Sequence, residues 1–223
     1  MPPEAARYPS APLVLGDVSV RPWTRCDAPF LAAAGSLETD PWAPIPLGLS
    51  EAQWTAEIET TEARGDLGFV IEITGVDRPA EVAGAAVTDR VTPAGLITLG
   101  ALDPCHRVAE ITGYWVLPAL RGRGVAAAAI DLVAGWAMSA LDYARIQIFT
   151  RPDNPGSRRA ARRAGFAEEG VLRSFVEVHG ERSDAVVLSR VHTVPRAPAS
   201  RAHTERNDLR ALDDAGQTPA HLR

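Results

Sequence analysis

"LPALRGRGVAAAAIDLVAGWA", residues Leu117 to Ala137, places two glycines and two arginines directly before a long alanine-rich apolar run. Apolar side chains in and after this run recur at three- and four-residue spacing, which predicts an amphipathic helix. They are Val125, Ala129, Leu132, Val133, Trp136 and Ala140. The preceding "AEITGYWVL", Ala109 to Leu117, is typical of a strand. The order along the chain is therefore strand, charged glycine turn, helix.

The turn "RGRGVA", Arg121 to Ala126, has the properties of an anion-binding site. Backbone N–H groups in the first turn of a helix have no partner within the helix, and the helix dipole makes this end positive. Glycine lets a ligand approach the backbone closely, and Arg121 and Arg123 add positive charge. Three interpretations are open at this point: a plain tight turn, a dinucleotide site and a pyrophosphate site.

The dinucleotide interpretation rests on Gly122, Gly124 and Ala127, which fit the pattern GxGxxA. In dinucleotide-binding domains the first glycine follows the first strand almost at once, and an acidic residue ends the next strand. Here Pro118 to Leu120 intervene, several predicted strands come earlier, and the next strand ends in "IFTR". The context therefore argues against a dinucleotide site, and the lack of GKS or GKT argues against a P-loop.

The composition indicates one globular domain and excludes some partners. The chain has 223 residues, of which 46% are hydrophobic, and a formal net charge of −5, which argues against nucleic-acid binding. All 23 cationic residues are arginine, so a single arginine is weak support for a function. Cys26 and Cys105 stand in no metal-ligand spacing, and we assign no metal. Since no signal peptide or membrane span is indicated, we expect a cytoplasmic protein with no membrane partner.

The elements before the glycine turn are predicted from alternation and capping signals. A strand is expected over Leu13 to Trp23, and a helix over Asp27 to Glu38 with Asp27 as its N-cap. A second helix is expected from Ser50 to Gly65, with Ser50 as its N-cap and Gln53 in the reciprocal capping position. Three further strands are expected over Leu67 to Thr74, Glu81 to Val91 and Gly95 to Asp103.

After the long helix the sequence predicts a strand over Tyr143 to Thr150 and a compact helix in "NPGSRRAARRAGF". This helix has Asn154 as N-cap, Pro155 at its first position and Gly165 as terminator. A hairpin around Gly180 closes the domain. We expect a flexible lead-in at 1–11, a folded domain at 12–193 and a polar, disordered tail at 194–223.

Two motifs in this order resemble the GNAT superfamily of acetyl-CoA-dependent N-acetyltransferases. The first is "GYWVLP" with the R-x-x-G-x-A signature of Arg121, Gly124 and Ala126. The second, about 30 residues later, is the N-x-x-S-x-R…G-F block of Asn154, Ser157, Arg159, Gly165 and Phe166. Within the superfamily the chain is similar to the RimJ/RimL type, which includes ribosomal-protein N-terminal acetyltransferases. The resemblance covers roughly Leu13 to Val191.

The resemblance implies an α+β fold, an α/β sandwich with a mixed, mostly antiparallel sheet of about seven strands flanked by about four helices. The sheet would splay between the "GYWVL" and "YARIQIFT" strands, and the pantetheine arm of acetyl-CoA would enter the gap. Backbone amides of Val116 and of the glycine turn would hold the CoA pyrophosphate, and Asn154 would contact the pantetheine amides. The turn residues are Arg121, Gly122, Arg123, Gly124, Val125 and Ala126.

The resemblance also implies catalytic roles. Glu110 matches a position where relatives often carry a glutamate that acts as general base, although a solvated strand-end carboxylate is the alternative. Ser157 matches a serine proposed to lie near the departing thiolate as a proton donor or hydrogen-bonding stabiliser, although capping of the helix explains it equally. Tyr114 and Trp115 are expected to pack against the sheet. Arg158, Arg162 and Arg163 depart from the usual pattern of the RimJ/RimL type, and we expect solvated surface in preference to contact with the CoA 3′-phosphate.

The implied function is direct transfer of acetyl from acetyl-CoA to a primary amine, without a covalent acetyl-enzyme. The acceptor would be a protein or peptide N-terminus or, alternatively, a small-molecule amine. A catalytically silent acyl-CoA-binding module is a third possibility, and a monomer or a homodimer is expected. Trp42, in "ETDPWAPIP", lies in the region that forms the acceptor wall in relatives, where it either contacts substrate or covers the core.

Overall fold

The computed structural model of the chain describes residues 8–37, 48–77, 79, 91–178 and 180–192. Within them, eight strands form one sheet that four α-helices flank. The strands are β1 (Leu13–Leu15), β2 (Val18–Pro22), β3 (Leu67–Thr74), β4 (Val91–Asp103), β5 (Val108–Val116), β6 (Arg145–Thr150), β7 (Ala167–Val178) and β8 (Glu181–Val191). The helices are α1 (Ala28–Gly35), α2 (Glu51–Ala63), α3 (Val125–Ala140) and α4 (Pro155–Arg163).

The strand order across the sheet is β1-β2-β3-β4-β5-β6-β8-β7. Every neighbouring pair is antiparallel except β5 and β6, which run parallel. A parallel pair needs a long crossover, and α3 supplies it between these two strands. The expectation of a mixed, mostly antiparallel sheet flanked by about four helices is confirmed, with eight strands among the described residues.

The two parallel strands separate after a short contact. β5 and β6 pair only over Val108–Glu110 and Arg145–Gln147. From there β5 continues to Val116 and β6 to Thr150 without pairing to each other. The sheet therefore opens between them towards their carboxyl ends, as the resemblance implied.

The core is formed where α3 packs against the sheet. Ala129, Ile130 and Val133 of α3 are completely buried. Of the six positions predicted from the apolar spacing, Val125, Ala129 and Val133 are buried, Leu132 and Trp136 are half-buried, and Ala140 is exposed. Trp136 meets Phe69 of β3 edge-on, with ring centroids 5.8 Å apart. Burial of apolar side chains along one helix face contributes roughly 25 cal/mol per Å² and fixes α3, and hence its N-terminus, relative to β5.

The N-terminal region differs from the prediction in two ways. The expected strand over Leu13 to Trp23 is two strands, because Gly16 turns the chain with φ of +63°. Alternation continues on both sides of the turn, which is why the pattern indicated one strand. Asp27 precedes α1 without capping it through its side chain. Its carboxylate instead accepts hydrogen bonds from the Thr24 backbone N–H at 2.7 Å and from the Arg21 guanidinium.

Several local signals are confirmed. Ser50 caps α2, and its backbone N–H donates to Gln53 Oε1 at 3.0 Å. Gly180 turns the β7–β8 hairpin with φ of +82°. Helix α1 ends at Gly35, before the expected Glu38. Most of the predicted strand at Glu81 to Val91, Trp42 with its prolines, the tail at 194–223 and most of the lead-in lie outside the described residues.

Candidate active site

The gap between β5 and β6 is a cavity of about 830 Å³, a size usual for small-molecule sites. β5, the glycine turn, the end of β6 and the start of α4 line it. Nine of the ten residues that the sequence nominated lie in this lining: Glu110, Val116, Arg121, Gly122, Gly124, Val125, Ala126, Asn154 and Ser157. Arg123 is exposed on the turn and does not line the cavity.

The glycine turn needs glycine for its backbone conformation. Gly122 and Gly124 have φ values of +80° and +88°, which side chains other than glycine rarely adopt, and a Cβ at either would meet nothing within 4 Å. Gly124 is the N-cap residue of α3 and brings no side chain to cap it. The first amides of this 16-residue helix are therefore left to a ligand or to solvent.

The Arg121 side chain connects the glycine turn to the end of β5 through a hydrogen bond. Its Nε donates to the Val116 carbonyl oxygen at 2.9 Å, and its guanidinium carbon lies 6.0 Å from the centroid of a ring of Trp115. The side chain thus spans the base of the turn, and it also lines the cavity. Arg121 both positions the turn and adds positive charge beside the N-terminus of α3.

Glu110 stands where the strands separate. It pairs with Gln147 of β6 on one side and with Gly100 of β4 on the other. Burial, and secondarily the negative charge of Asp66, raise the pKa of Glu110 to about 7. Asp66 lies directly over Gly100, since a Cβ at Gly100 would fall 2.7 Å from its Oδ1. Glu110 therefore has the proton affinity of a general base that operates near neutrality.

A β-bulge follows Glu110 on β5. Leu99 of β4 opposes Ile111, whereas the next β4 residue, Thr98, opposes Gly113, so Thr112 is the extra residue. Directly opposed residues of antiparallel strands share a face, and an extra residue reverses the alternation beyond it. Tyr114, four residues after Glu110, therefore lies on the face opposite to Glu110, paired with Ile97 of β4.

Ser157 sits in the first turn of α4 and is held there by Asn154. Asn154 Oδ1 accepts the Ser157 backbone N–H at 2.9 Å, which is the predicted N-cap. Pro155 begins the helix, and Gly165 follows its end with φ of +81°. The capping bond leaves the Ser157 hydroxyl free for another partner.

That partner is Tyr114, which reaches across the gap from β5. The Tyr114 and Ser157 hydroxyl oxygens are 2.5 Å apart, and the Tyr114 hydroxyl is also 3.2 Å from the Ser157 carbonyl oxygen. Burial raises the pKa of Tyr114 to about 12. Tyr114 packs against the core as expected, but no signal in the sequence predicted that its hydroxyl contacts Ser157 or that Tyr114 lines the cavity.

The arginines of α4 divide between two faces. Arg158 and Arg162 form ion pairs with Glu168, with shortest N–O distances of 3.0 and 2.5 Å. Arg159 and Arg163, each one residue further along, line the cavity and form no ion pair within the described part of the chain. Helical spacing of four residues keeps each pair on one face. Arg163 is exposed to solvent, in line with the expected surface position, and it also lines the cavity.

Other kinds of site find little support among residues 8–37, 48–77, 91–178 and 180–192. No three His, Cys, Asp or Glu side chains there cluster closely enough to hold a metal ion. No helix in these ranges is both long and apolar enough to cross a bilayer. Cys26 and Cys105 are exposed free thiols, and neither lines the cavity.

Comparison with known proteins gives relatives of one kind. YdaF of Bacillus subtilis (strain 168) is 37% identical over 95 residues, which are 43% of this chain and 51% of that protein. The ribosomal-protein-serine acetyltransferase of Escherichia coli (strain K12) is 32% identical over 98 residues, 44% of this chain and 54% of that protein. The matched region thus spans about half the length of these curated relatives.

A solved structure extends the likeness to most of the chain. RimJ from Mycobacterium smegmatis, in complex with CoA-disulfide, superposes with a TM-score of 0.65 at 26% identity, over 84% of this chain and 89% of that one. The family model of the GNAT acetyltransferase domain matches residues 17–167. This range contains Glu110, the glycine turn, Asn154 and Ser157. The chain belongs to the GNAT acetyltransferase domain family.

Proposed function

We propose that this chain is an N-acetyltransferase that moves an acetyl group directly from acetyl-CoA to a primary amine. One observation carries the proposal: β5 and β6 separate after the Glu110–Gln147 pair, and the resulting cavity is lined both by an uncapped helix N-terminus and by a carboxyl group whose pKa lies near 7. An anion site and a base in one cavity are what amine acetylation from a CoA thioester needs.

The CoA pyrophosphate binds at the N-terminus of α3. Amides of the glycine turn and of Val125 and Ala126 donate to its oxygens, and the dipole of the 16-residue helix favours the negative charge. Arg121 holds the turn in place through the Val116 carbonyl and contributes charge. RimJ of M. smegmatis, whose structure contains CoA-disulfide, supports this assignment.

A second cationic group binds the 3′-phosphate of CoA. Arg159 and Arg163 line the cavity on one face of α4, whereas Arg158 and Arg162 form ion pairs with Glu168. A guanidinium group matches two phosphate oxygens at once, so this pair suits a phosphate monoester.

The pantetheine arm lies along β5. Beyond Glu110, β5 has β4 on one side and no strand partner on the other within the described residues. An open strand edge offers N–H and C=O groups to an extended ligand, and pantetheine carries two amides that pair with them. The Asn154 side chain, which lines the cavity beside this edge, contacts the same arm.

Glu110 removes one proton from the ammonium form of the acceptor, directly or through one water molecule, and the second N–H proton leaves to water from the tetrahedral intermediate. The nitrogen lone pair forms a bond to the thioester carbonyl carbon, and collapse of the tetrahedral intermediate breaks the carbon–sulfur bond. The electron pair leaves on the CoA sulfur, where the Ser157 hydroxyl donates a hydrogen bond. Since neither cysteine lines the cavity, acetyl passes directly between the two substrates.

The acceptor is a protein or peptide N-terminus. The E. coli relative is named a ribosomal-protein-serine acetyltransferase, and RimJ of M. smegmatis superposes over most of the chain. An α-amine has a pKa near 8, so a base with a pKa of about 7 deprotonates it with little penalty at neutral pH. The lysine side-chain amine, with a pKa of about 10.4, is a poorer match.

The test is a thiol-release assay with the purified chain, acetyl-CoA, peptides that differ in their N-terminal residue, and small amines. We expect turnover with peptides; turnover confined to small amines would move the acceptor to that class. Calorimetry with Gly124→Glu, which puts a carboxylate in the turn, should show loss of acetyl-CoA binding. Gly16→Glu is the matched control, because Gly16 also has positive φ and open space around it but lies in the β1–β2 turn. Equal affinity in both variants would overturn the cofactor site.

A further inference from the structure

We propose that Tyr114 is a positioning residue that acts through Ser157. The Tyr114 hydroxyl donates a hydrogen bond to Ser157 Oγ, and this directs the Ser157 O–H into the cavity towards the departing CoA sulfur. The inference rests on the proposed acetyl transfer and adds a residue to it. It also specifies that Ser157 donates a hydrogen bond to the sulfur and keeps its proton.

The geometry isolates the pair. Among the described residues, Tyr114 is the only hydrogen-bond partner of Ser157 Oγ, at 2.5 Å. Asn154 is already bonded to the Ser157 backbone N–H and does not compete for the hydroxyl. The direction of the hydrogen bond between the two hydroxyl groups therefore decides where the single hydroxyl proton of Ser157 points.

Counting protons gives two arrangements. In the first, Tyr114 donates to Ser157 Oγ, and the serine proton is left to point into the cavity. In the second, Ser157 donates to Tyr114, whose proton then goes to the Ser157 carbonyl oxygen at 3.2 Å. The second arrangement offers the cavity only lone pairs, whereas the first offers a donor to a negatively charged sulfur.

A developing thiolate selects the first arrangement. The 2.5 Å contact between the two hydroxyl oxygens is present in both arrangements, so the charge on the sulfur decides between them. Donation by Tyr114 polarises the serine O–H, which strengthens it as a donor to the thiolate. Burial raises the pKa of Tyr114 to about 12, so its proton stays on the phenol during the reaction. Both hydroxyl groups are less acidic than a thiol, whose pKa is about 8.5. Ser157 therefore donates a hydrogen bond to the thiolate but does not transfer its proton to it.

Side-chain alternation explains how a strand residue reaches α4. The bulge at Thr112 reverses the alternation, so Tyr114 shares the face of Ile97 and not that of Glu110. Ile97 in turn pairs with Phe69, which contacts Trp136 of α3. Tyr114 is thus on the α3 side of the sheet, where α4 brings Ser157 to it.

A double-mutant cycle tests the inference. Tyr114→Phe keeps the ring and removes the hydroxyl. We expect kcat to fall about 10-fold to 100-fold with little change in KM for acetyl-CoA, because the hydrogen bond from Ser157 to the sulfur forms only in the transition state. Adding Tyr114→Phe to Ser157→Ala should change kcat less than about 2-fold, because the residue through which it acts is gone. Equal factors in both backgrounds would show a role independent of Ser157 and overturn the inference.

A second readout needs no turnover. The pKa of the bound CoA thiol is measured from the ultraviolet absorbance of the thiolate during a pH titration of the complex. A donor to the sulfur lowers this pKa, so Tyr114→Phe and Ser157→Ala should each raise it, and the double variant should equal Ser157→Ala. Tyr143→Phe is the control, since Tyr143 is buried outside the cavity.

The outcomes separate the two proposals. Absence of turnover with every amine, together with a thiol pKa that responds to both variants, would remove the proposed reaction and leave the Tyr114–Ser157 pair as a thiolate site. Normal turnover with a thiol pKa that neither variant moves would remove the pair's role and leave acetyl transfer standing. A chain that binds no CoA would overturn both.

Discussion

Glu110 and Tyr114 stand four residues apart on β5 and yet present their side chains on opposite faces of the sheet, because the bulge at Thr112 lies between them. A regular strand would place both on one face. The bulge thus separates the group that takes a proton from the group that orients Ser157. The amine nitrogen and the CoA sulfur are separate substituents of the tetrahedral intermediate, so groups from two faces of one strand serve the two halves of the proposed reaction.

The first prediction concerns Glu110 as the base. Glu110→Gln should lower kcat about 10²-fold to 10⁴-fold, the usual contribution of a general base. In the wild-type protein the rate should rise with pH through about 7, because only the carboxylate accepts a proton. The variant should lack this rise. The measurement is the pH profile of kcat from pH 5 to 9.

Glu59→Gln is the control for that experiment. Glu59 lies on α2, pairs with Arg25 at the surface and takes no part in the cavity. Its substitution should leave both rate and profile unchanged, because exposed ion pairs contribute little. A Glu110→Gln variant with the wild-type rate, or one that keeps the rise near pH 7, would show that another group is the base.

The second prediction concerns stability. Since the pKa of Glu110 is raised by folding, its contribution is fully present below the unfolded value near 4.3 and is lost as pH rises through about 7. Glu110→Gln should therefore be more stable than wild type at pH 8, by on the order of 1 kcal/mol once partial exposure is allowed for, and not at pH 4. Urea denaturation of both proteins at the two pH values measures this difference, and all other titrating groups cancel in it. A variant equally stabilised at both pH values would point to packing.

The third prediction concerns Asp66 as a neighbour of the base. Its negative charge is the second cause of the raised pKa of Glu110, after burial. Asp66→Asn should therefore shift the rise in kcat towards lower pH, by up to about one unit, and leave the plateau rate unchanged. The variant also loses a contact with Arg64 at 3.6 Å, an exposed pair of little energetic consequence. Arg64→Gln, which breaks the same contact while keeping Asp66, is the control. A shift towards higher pH would contradict this role.

Local signals predicted a large part of the site. The N-cap at Asn154, the terminator at Gly165 and the apolar face of α3 depend on residues within a few positions of each other, and they are as expected except that Ala140 is exposed. The glycine turn has the same origin, because positive φ at Gly122 and Gly124 follows from residue type. Such features form wherever the chain folds, and the sequence carries them directly.

Contacts between distant segments escaped prediction. Tyr114 meets Ser157 across 43 positions, and nothing near either residue marks the pair. Asp66 lies over Gly100 because β3 pairs with β4. The separation of the two residues in the sequence does not predict this contact. The face of α4 that the cavity meets depends on how α4 packs against β6 and β7. Tertiary packing decides these relationships, and propensity and periodicity do not encode it.

The fourth prediction uses the two faces of α4. Arg159→Ala with Arg163→Ala should weaken acetyl-CoA binding by about 10-fold for each arginine, because a hydrogen-bonded charge pair with a phosphate is worth roughly 1.5 kcal/mol. Dephospho-CoA, which lacks the 3′-phosphate, should bind the wild-type and double-variant proteins equally. Arg158→Ala with Arg162→Ala removes the same charge from the same helix but from the Glu168 side, so it is a matched control and should keep wild-type affinity. Calorimetry at fixed ionic strength measures all six affinities. Equal weakening by the two double variants would mean that net charge, and not the face of α4, attracts CoA.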